Sequence, residues 1–323
     1  MPVVDPTSYH QPPRLLINGH FETIYPALLR TVNGVNYQRE RIFTADDDFL
    51  DLDWSKVNGK QLVIISHGLE GDTGRAYMKG MVRAFNNQGF DALAWNYRGC
   101  SGEINKQRRF YHSGATDDLD VVINHVINQY TYDKLYLIGF SLGGNLTLKY
   151  LGEKNLTLSQ KIEKSVVFSV PLNLHTSCLK ISEPANFLYA RRFLKSLVGK
   201  IKSKARVRSD LSTTGIGKIR TLMEFDDRYT APMHGFGDAK DYYSKCSAIN
   251  FVDAIRIPTL IVNAKNDPFL PAECYPAEKL KSHPHVYFEM PDKGGHVGFA
   301  VFGEPYYWSE RRAVEFIMEK NIN

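Results

Sequence analysis

Short apolar runs alternate along most of this chain with stretches whose apolar positions recur every three or four residues. The runs are Leu62-Val-Ile-Ile-Ser66, Ala92-Leu-Ala-Trp-Asn-Tyr97, Leu135-Tyr-Leu-Ile138, Ser165-Val-Val-Phe-Ser-Val170, Thr259-Leu-Ile-Val-Asn263 and Val286-Tyr-Phe-Glu-Met290. Runs this short and this apolar read as strands buried on both faces. Helical patterns are predicted between and after them at 75–87, 116–130, 144–151, about 271–281 and about 308–320. Gly89 marks the end of the first, and Thr116 is a candidate N-cap for the second, with Asp117 and Asp118 in its first turn. Two earlier strands are predicted at 37–43 and 49–54, joined by a turn at Asp46-Asp-Asp48. Strands that alternate with helices in this way predict an α/β fold: a mostly parallel, twisted sheet with helices on both faces.

The alternation fails once. About ninety residues separate Val170 from Thr259, far more than an ordinary connection needs. This stretch looks helical and is basic, carrying Arg191-Arg192, Lys195, Lys200, Lys202, Lys204, Arg206 and Arg208. A long helical insertion at this point in a sheet reads as a lid. The organisation expected is therefore an N-terminal arm over 1–35, a first part of the core over 36–172, a helical lid insertion over 173–255, and a second part of the core over 256–323. The cations of the insertion read as a solvated helix face, since no aromatic stripe accompanies them. The alternative is weak contact of this basic lid with a membrane surface.

Bulk composition narrows the function classes. A chain of 323 residues with 43% hydrophobic content has ample material for a core. Its net charge of +5 is too small to argue for nucleic-acid binding. Cys100, Cys178, Cys246 and Cys274 are scattered, without the spacing of a zinc site, and read as free thiols in a reducing compartment. The segment Met1-Pro-Val-Val-Asp-Pro6 lacks the charge and apolar run of a leader, and no stretch is long enough for a stable membrane span. A cytoplasmic location is the resulting expectation.

The chemistry is concentrated around Gly139-Phe-Ser-Leu-Gly143, which follows one predicted strand and precedes a predicted helix. Strand, Gly-x-Ser-x-Gly turn and helix, in that order, form the context of a nucleophile elbow, and predict an α/β-hydrolase fold. A serine there needs a histidine base and an orienting carboxylate, which follow it in the order acid, then histidine. Asp267 lies just past the 259–263 strand, and His296 lies in the glycine-rich segment Lys293-Gly-Gly-His-Val-Gly298 after the last strand. Asp292 is a competing acid, but it shares a loop with the histidine. His283 and His285 raise the question of a metal, yet lack carboxylate neighbours at ligand spacing and read as solvated loop. Oxyanion donors are expected from the backbone N–H of Leu142 and of Leu69, the latter in the loop Ser66-His-Gly-Leu-Glu-Gly71, with His67 bracing that loop.

Segments across nearly the whole chain resemble one named group, the YheT-like α/β-hydrolases, whose relatives include plant embryogenesis-associated proteins and yeast ethanol acyltransferase/esterases. They include Asn18-Gly-His-Phe-Glu-Thr-Ile-Tyr-Pro26, Asp47-Asp-Phe-Leu-Asp-Leu-Asp-Trp54, His67-Gly-Leu-Glu-Gly71, Asn96-Tyr-Arg-Gly-Cys-Ser-Gly102, Ala231-Pro-Met-His-Gly-Phe236 and Ala264-Lys-Asn-Asp-Pro-Phe269. The resemblance implies a Ser141–Asp267–His296 triad. Where the group has paired acids before the proline, this chain has Asn266-Asp267, which leaves Asp267 as the acid. The expected activity is hydrolysis of short- or medium-chain carboxylic esters through an acyl-enzyme, with a small-molecule ester or lipid-like substrate and no cofactor or metal. Acyl transfer to an alcohol is the nearest alternative, and a catalytically silent binding module of the same fold is the alternative of another class.

Overall fold

The computed structural model describes residues 12–319. The first eleven residues of the arm and the predicted helix end at Lys320 lie outside them. The sheet is built from β1 (Gln38–Phe43), β2 (Phe49–Ser55), β3 (Gln61–Ser66), β4 (Asp91–Asn96), β5 (Lys134–Phe140), β6 (Ile162–Phe168), β7 (Thr259–Val262) and β8 (Val286–Glu289). Its spatial order is β1-β2-β4-β3-β5-β6-β7-β8. The hairpin β1–β2 forms an antiparallel edge and β2 runs antiparallel to β4, whereas every pairing from β4 through β8 is parallel.

The helices in chain order are α1 (Gly19–Leu29), α2 (Ala76–Asn86), α3 (Thr116–Gln129) and α4 (Leu142–Lys154), followed after β6 by α5 (Leu174–Ile181), α6 (Phe187–Ala205), α7 (Leu222–Phe225), α8 (Ala231–Met233) and α9 (Ala239–Cys246). Two more, α10 (Ala277–Leu280) and α11 (Trp308–Met318), flank β8. Side chains on β3 alternate between two apolar layers. Leu62 and Ile64 pack with Leu119, Val122 and Leu146 of α3 and α4, while Val63 and Ile65 pack with Met81, Phe85 and Phe316 of α2 and α11. Burial on both sides explains the near-continuous apolar runs of the central strands. The stretch between β6 and β7 is helical, as expected, with α6 its longest element. Among the described residues no helix is long and apolar enough to cross a membrane.

Three local expectations change. The arm contains a helix, α1, capped by Asn18, whose side chain accepts from the amides of His20 and Phe21. Thr116 is not an N-cap: Ala115 holds that position, and the Thr116 hydroxyl donates to Glu153 at 2.6 Å. The predicted helix at 271–281 is reduced to a 3₁₀ turn at Ala272–Cys274 and the single turn α10. Pro276 lacks an N–H and drives Tyr275 out of the α region, to φ −122° and ψ 65°, so the two turns cannot fuse.

Asp118 belongs to a buried charge cluster that locks the hairpin edge to α3. Arg98 is 3% exposed and reaches Asp48 at 2.8 Å, Asp46 at 2.9 Å and Asp118 at 2.7 Å. Burial opposes ionisation of Asp48, but hydrogen bonds from Asn105, the Lys106 amide and Arg98 outweigh it and hold the carboxyl below the usual range. A carboxyl lowered in this way stabilises the fold fully above the unfolded value near 4, and that stabilisation is lost as the pH falls through the lower folded value. Arg98→Met removes the ion-pair partner of buried Asp48 and leaves buried Asp118 to Arg109 at 3.5 Å, and is expected to cost roughly 3–5 kcal/mol in urea unfolding at pH 7. A loss below about 1 kcal/mol would show that the cluster is not structural.

Candidate active site

Ser141 sits between the last residue of β5 and the first of α4 with φ 52° and ψ −117°, a conformation that non-glycine residues rarely adopt. The flanking glycines make this turn possible. A Cβ at Gly143 would lie 2.4 Å from the Ser66 carbonyl oxygen, and one at Gly139 would lie 2.5 Å from that of Gly143. The strand therefore delivers the hydroxyl at its carboxyl end, beside the N-terminus of α4 and its partial positive charge.

The structure brings the predicted histidine and acid to that hydroxyl. Nε2 of His296 lies 2.9 Å from Oγ of Ser141. Nδ1 of the same ring lies 2.8 Å from Oδ2 and 3.1 Å from Oδ1 of Asp267. The carboxylate is buried and also accepts from the Phe269 amide at 2.9 Å, which fixes its plane. With Nδ1–H donated to Asp267, Nε2 is left as the acceptor for the Ser141 hydroxyl. Asp292 is elsewhere: it pairs with Lys265 at 2.7 Å on the surface. His283 Nδ1 accepts from the amides of His285 and Val286, closing the turn into β8.

The loop after β3 lies against Ser141. A Cβ on Gly68 would be 3.3 Å from that of Ser141. The Gly68 amide donates to Tyr77 Oη at 3.0 Å and the Glu70 amide to Tyr111 Oη at 2.9 Å. Between them, no described residue accepts from the Leu69 amide. Leu142 is the first residue of α4, where the N–H has no partner within the helix. His67 is fully buried and braces the loop: Nε2 accepts from the Tyr97 amide, so Nδ1–H donates to the Gly68 carbonyl at 2.8 Å. Burial pushes its pKa down to about 3, which keeps the ring neutral.

Several residues that matter here were not singled out from the sequence. Glu22 and Thr23 of α1 hold the histidine loop by its backbone. Thr23 Oγ1 accepts from the His296 amide at 2.8 Å, and Glu22 Oε2 accepts from the Gly294 amide at 2.6 Å. Asn266 bridges the two loops: its Nδ2 donates to Glu22 at 2.9 Å and its Oδ1 accepts from the Gly295 amide at 3.0 Å. Asn18 as a helix cap was the available signal, but Gly19 and Pro26 obscured the helix that follows it.

Helix α6 lies over this assembly. Tyr189 and Phe193 pack on Phe269, whose ring packs on His296 at 4.3 Å between centroids. Lys200 reaches Glu70 of the Leu69 loop at 2.8 Å and Cys100 Sγ at 3.0 Å. Burial pushes the Cys100 thiol up to about 11, so it stands as a neutral thiol. Lys204 is fully buried, donating to Asn105 at 2.7 Å and to the Arg109 carbonyl at 3.0 Å, and burial lowers its pKa to about 7. The expectation that the basic residues of the insertion form a solvated face fails at these two positions. Both point inward and anchor the helix, which periodicity alone did not separate from the outward cations.

Comparison with known proteins agrees with this architecture. A family model described as the alpha/beta hydrolase fold matches residues 61–302. The chain is 31% identical over 315 residues to YheT of Escherichia coli (strain K12), covering 95% of this chain and 92% of that one. It is 29% identical over 311 residues to phospholipase ABHD3 of Homo sapiens, covering 92% and 75%. It is 30% identical over 280 residues to a monoacylglycerol lipase of Saccharomyces cerevisiae, covering 83% and 60%. Among solved structures, a Pyrococcus furiosus esterase superposes with a TM-score of 0.58 at 18% identity, over 89% of this chain and 95% of that one, a likeness of fold. With the serine turn, the parallel sheet and the match to YheT in agreement, the chain belongs to the α/β hydrolase fold family, in its YheT-like group.

Proposed function

We propose that this chain is a serine hydrolase of carboxylic esters, with Ser141 as nucleophile, His296 as general base and acid, and Asp267 as its orienting carboxylate. Oγ of Ser141 attacks the ester carbonyl carbon as its proton passes to Nε2 of His296. The oxyanion is held by the amides of Leu69 and Leu142, one free in its loop and one at the start of α4. The tetrahedral intermediate collapses, and His296 returns the proton to the departing alcohol, leaving an acyl-Ser141 ester. Water, deprotonated by the same nitrogen, attacks that ester and releases the carboxylic acid and the serine. The 2.9 Å contact between Nε2 and Oγ, with Nδ1 already on a buried carboxylate, carries this assignment.

The ester class is supported by relatives named as a phospholipase and a monoacylglycerol lipase. A fluorophosphonate probe is expected to label Ser141 stoichiometrically in the folded chain. A p-nitrophenyl ester series is expected to show turnover greatest for short or medium acyl chains. Absence of labelling at Ser141 in folded protein would leave a non-catalytic binding role for the fold. Loss of the acyl group to added alcohol in preference to water would instead make the chain an acyltransferase.

A further inference from the structure

Helix α1 is built inside out. Its buried face carries Gly19, Glu22, Thr23 and Pro26, while Phe21, Ile24 and Leu28 face outward. These outward positions are spaced i, i+3 and i+7, so they form a single stripe. Phe21 is 51% exposed and Leu28 65%. Leu15, Ile17 and Leu29 extend the exposed apolar surface at the two ends of the helix. The inward polar side has a use, because Glu22 and Thr23 hold the His296 loop. That use places no demand on the outward side, where a surface helix ordinarily carries charged residues.

Helix α6 begins next to this stripe. The Tyr189 ring stacks on His20 of α1 with centroids 5.8 Å apart. Phe187 and Leu188 stand exposed at the same end, Leu188 at 73%. The outward side of α6 then continues as Arg191, Arg192, Lys195 and Lys202, all exposed, and the helix contains no Asp or Glu. Among the described residues no carboxylate pairs with any of these four cations. The sequence offered no apolar stripe to accompany the basic residues of the insertion. The fold supplies one from α1, more than a hundred and fifty residues away in the chain.

An apolar end continuous with a row of unpaired cations has the chemistry of an interfacial element. The apolar side chains enter the boundary of the hydrocarbon, and the cations lie at the level of the phosphates. A second copy of this chain is a poor occupant, because pairing this face with itself would bring like charges together. We infer that the α1–α6 face docks on an anionic lipid surface and so presents the Ser141 site next to the bilayer. This goes beyond ester hydrolysis itself, and docking does not require turnover at Ser141.

Sedimentation of the full chain with sucrose-loaded vesicles tests the docking. Vesicles of phosphatidylcholine and phosphatidylglycerol at 7:3 are expected to bind it at least tenfold more strongly than vesicles of phosphatidylcholine alone. The double variant Arg191→Gln/Arg192→Gln is expected to lose about thirtyfold in partitioning, about fivefold per cation removed. Leu28→Glu/Leu188→Glu is expected to lose more than about tenfold. Both pairs are exposed, so the thermal midpoint and the hydrolysis of soluble p-nitrophenyl butyrate should not change. Vesicle binding by a wild-type chain that hydrolyses no ester would still support the docking surface. Equal affinity for neutral and anionic vesicles, or variants that bind like wild type, would overturn it. So would a lipid-free dimer, seen by light scattering, that Leu28→Glu dissociates.

Discussion

Ser141→Ala is expected to lower kcat for ester hydrolysis by roughly six orders of magnitude while leaving the fold intact. Removing the hydroxyl deletes the only atom that His296 Nε2 contacts at the elbow, and no other described side chain is placed to replace it. The backbone change is small. Alanine adopts the same φ of 52° at about the same cost as serine, and the glycines that permit the turn are untouched. KM should move little, because the Leu69 and Leu142 amides and the covering residues of α6 remain. A residual rate above that in water is expected from those amides. The measurement is kcat and KM on a p-nitrophenyl ester, with circular dichroism as the check on folding. Activity within tenfold of wild type in a folded Ser141→Ala protein would end the acyl-enzyme reading.

The parts of this site that were legible in the sequence are those fixed by local sterics and chain order. Gly139 and Gly143 are required by contacts within a few ångströms of the elbow, so their spacing announces the turn. Asp267 and His296 each follow an apolar strand, and their order along the chain matches the elbow chemistry. What was not legible depends on tertiary placement. The polar face of α1 looks wasted until the His296 loop is docked on it, and a helix with Gly19 at its start and Pro26 inside reads as an arm. Lys200 and Lys204 carry the same helical periodicity signal as Lys202, yet Lys200 turns in, partly buried, to Glu70, Lys204 is buried against Asn105, and Lys202 is exposed. Only the partner surfaces decide between them. Tyr77 and Tyr111 are similar cases: each looks like core until its hydroxyl is seen to take the amides on either side of Leu69.

Asp267→Asn should be severely damaging too, with kcat down on the order of 10⁴, about a hundredfold less than the loss in Ser141→Ala, and little change in KM. The reason lies in which atoms of residue 267 must accept. Oδ1 takes the Phe269 amide and Oδ2 takes Nδ1–H of His296, so both positions call for an acceptor. Asparagine offers one acceptor and one NH₂. With its oxygen on the Phe269 amide, the NH₂ faces Nδ1 and draws the ring into the other tautomer. Nε2 then carries the proton and can no longer accept one from Ser141. With the amide flipped, the NH₂ meets the Phe269 N–H, and two donors oppose each other in a buried place. Either way the base is lost while the shape of the site is kept. Asp292→Asn is the matched control, because Asp292 pairs with Lys265 at the surface and should leave kcat unchanged. If the Asp292 variant proved the inactive one, or if Asp267→Asn lost less than tenfold, His296 would take its orientation from some other group than the carboxylate 2.8 Å from its Nδ1.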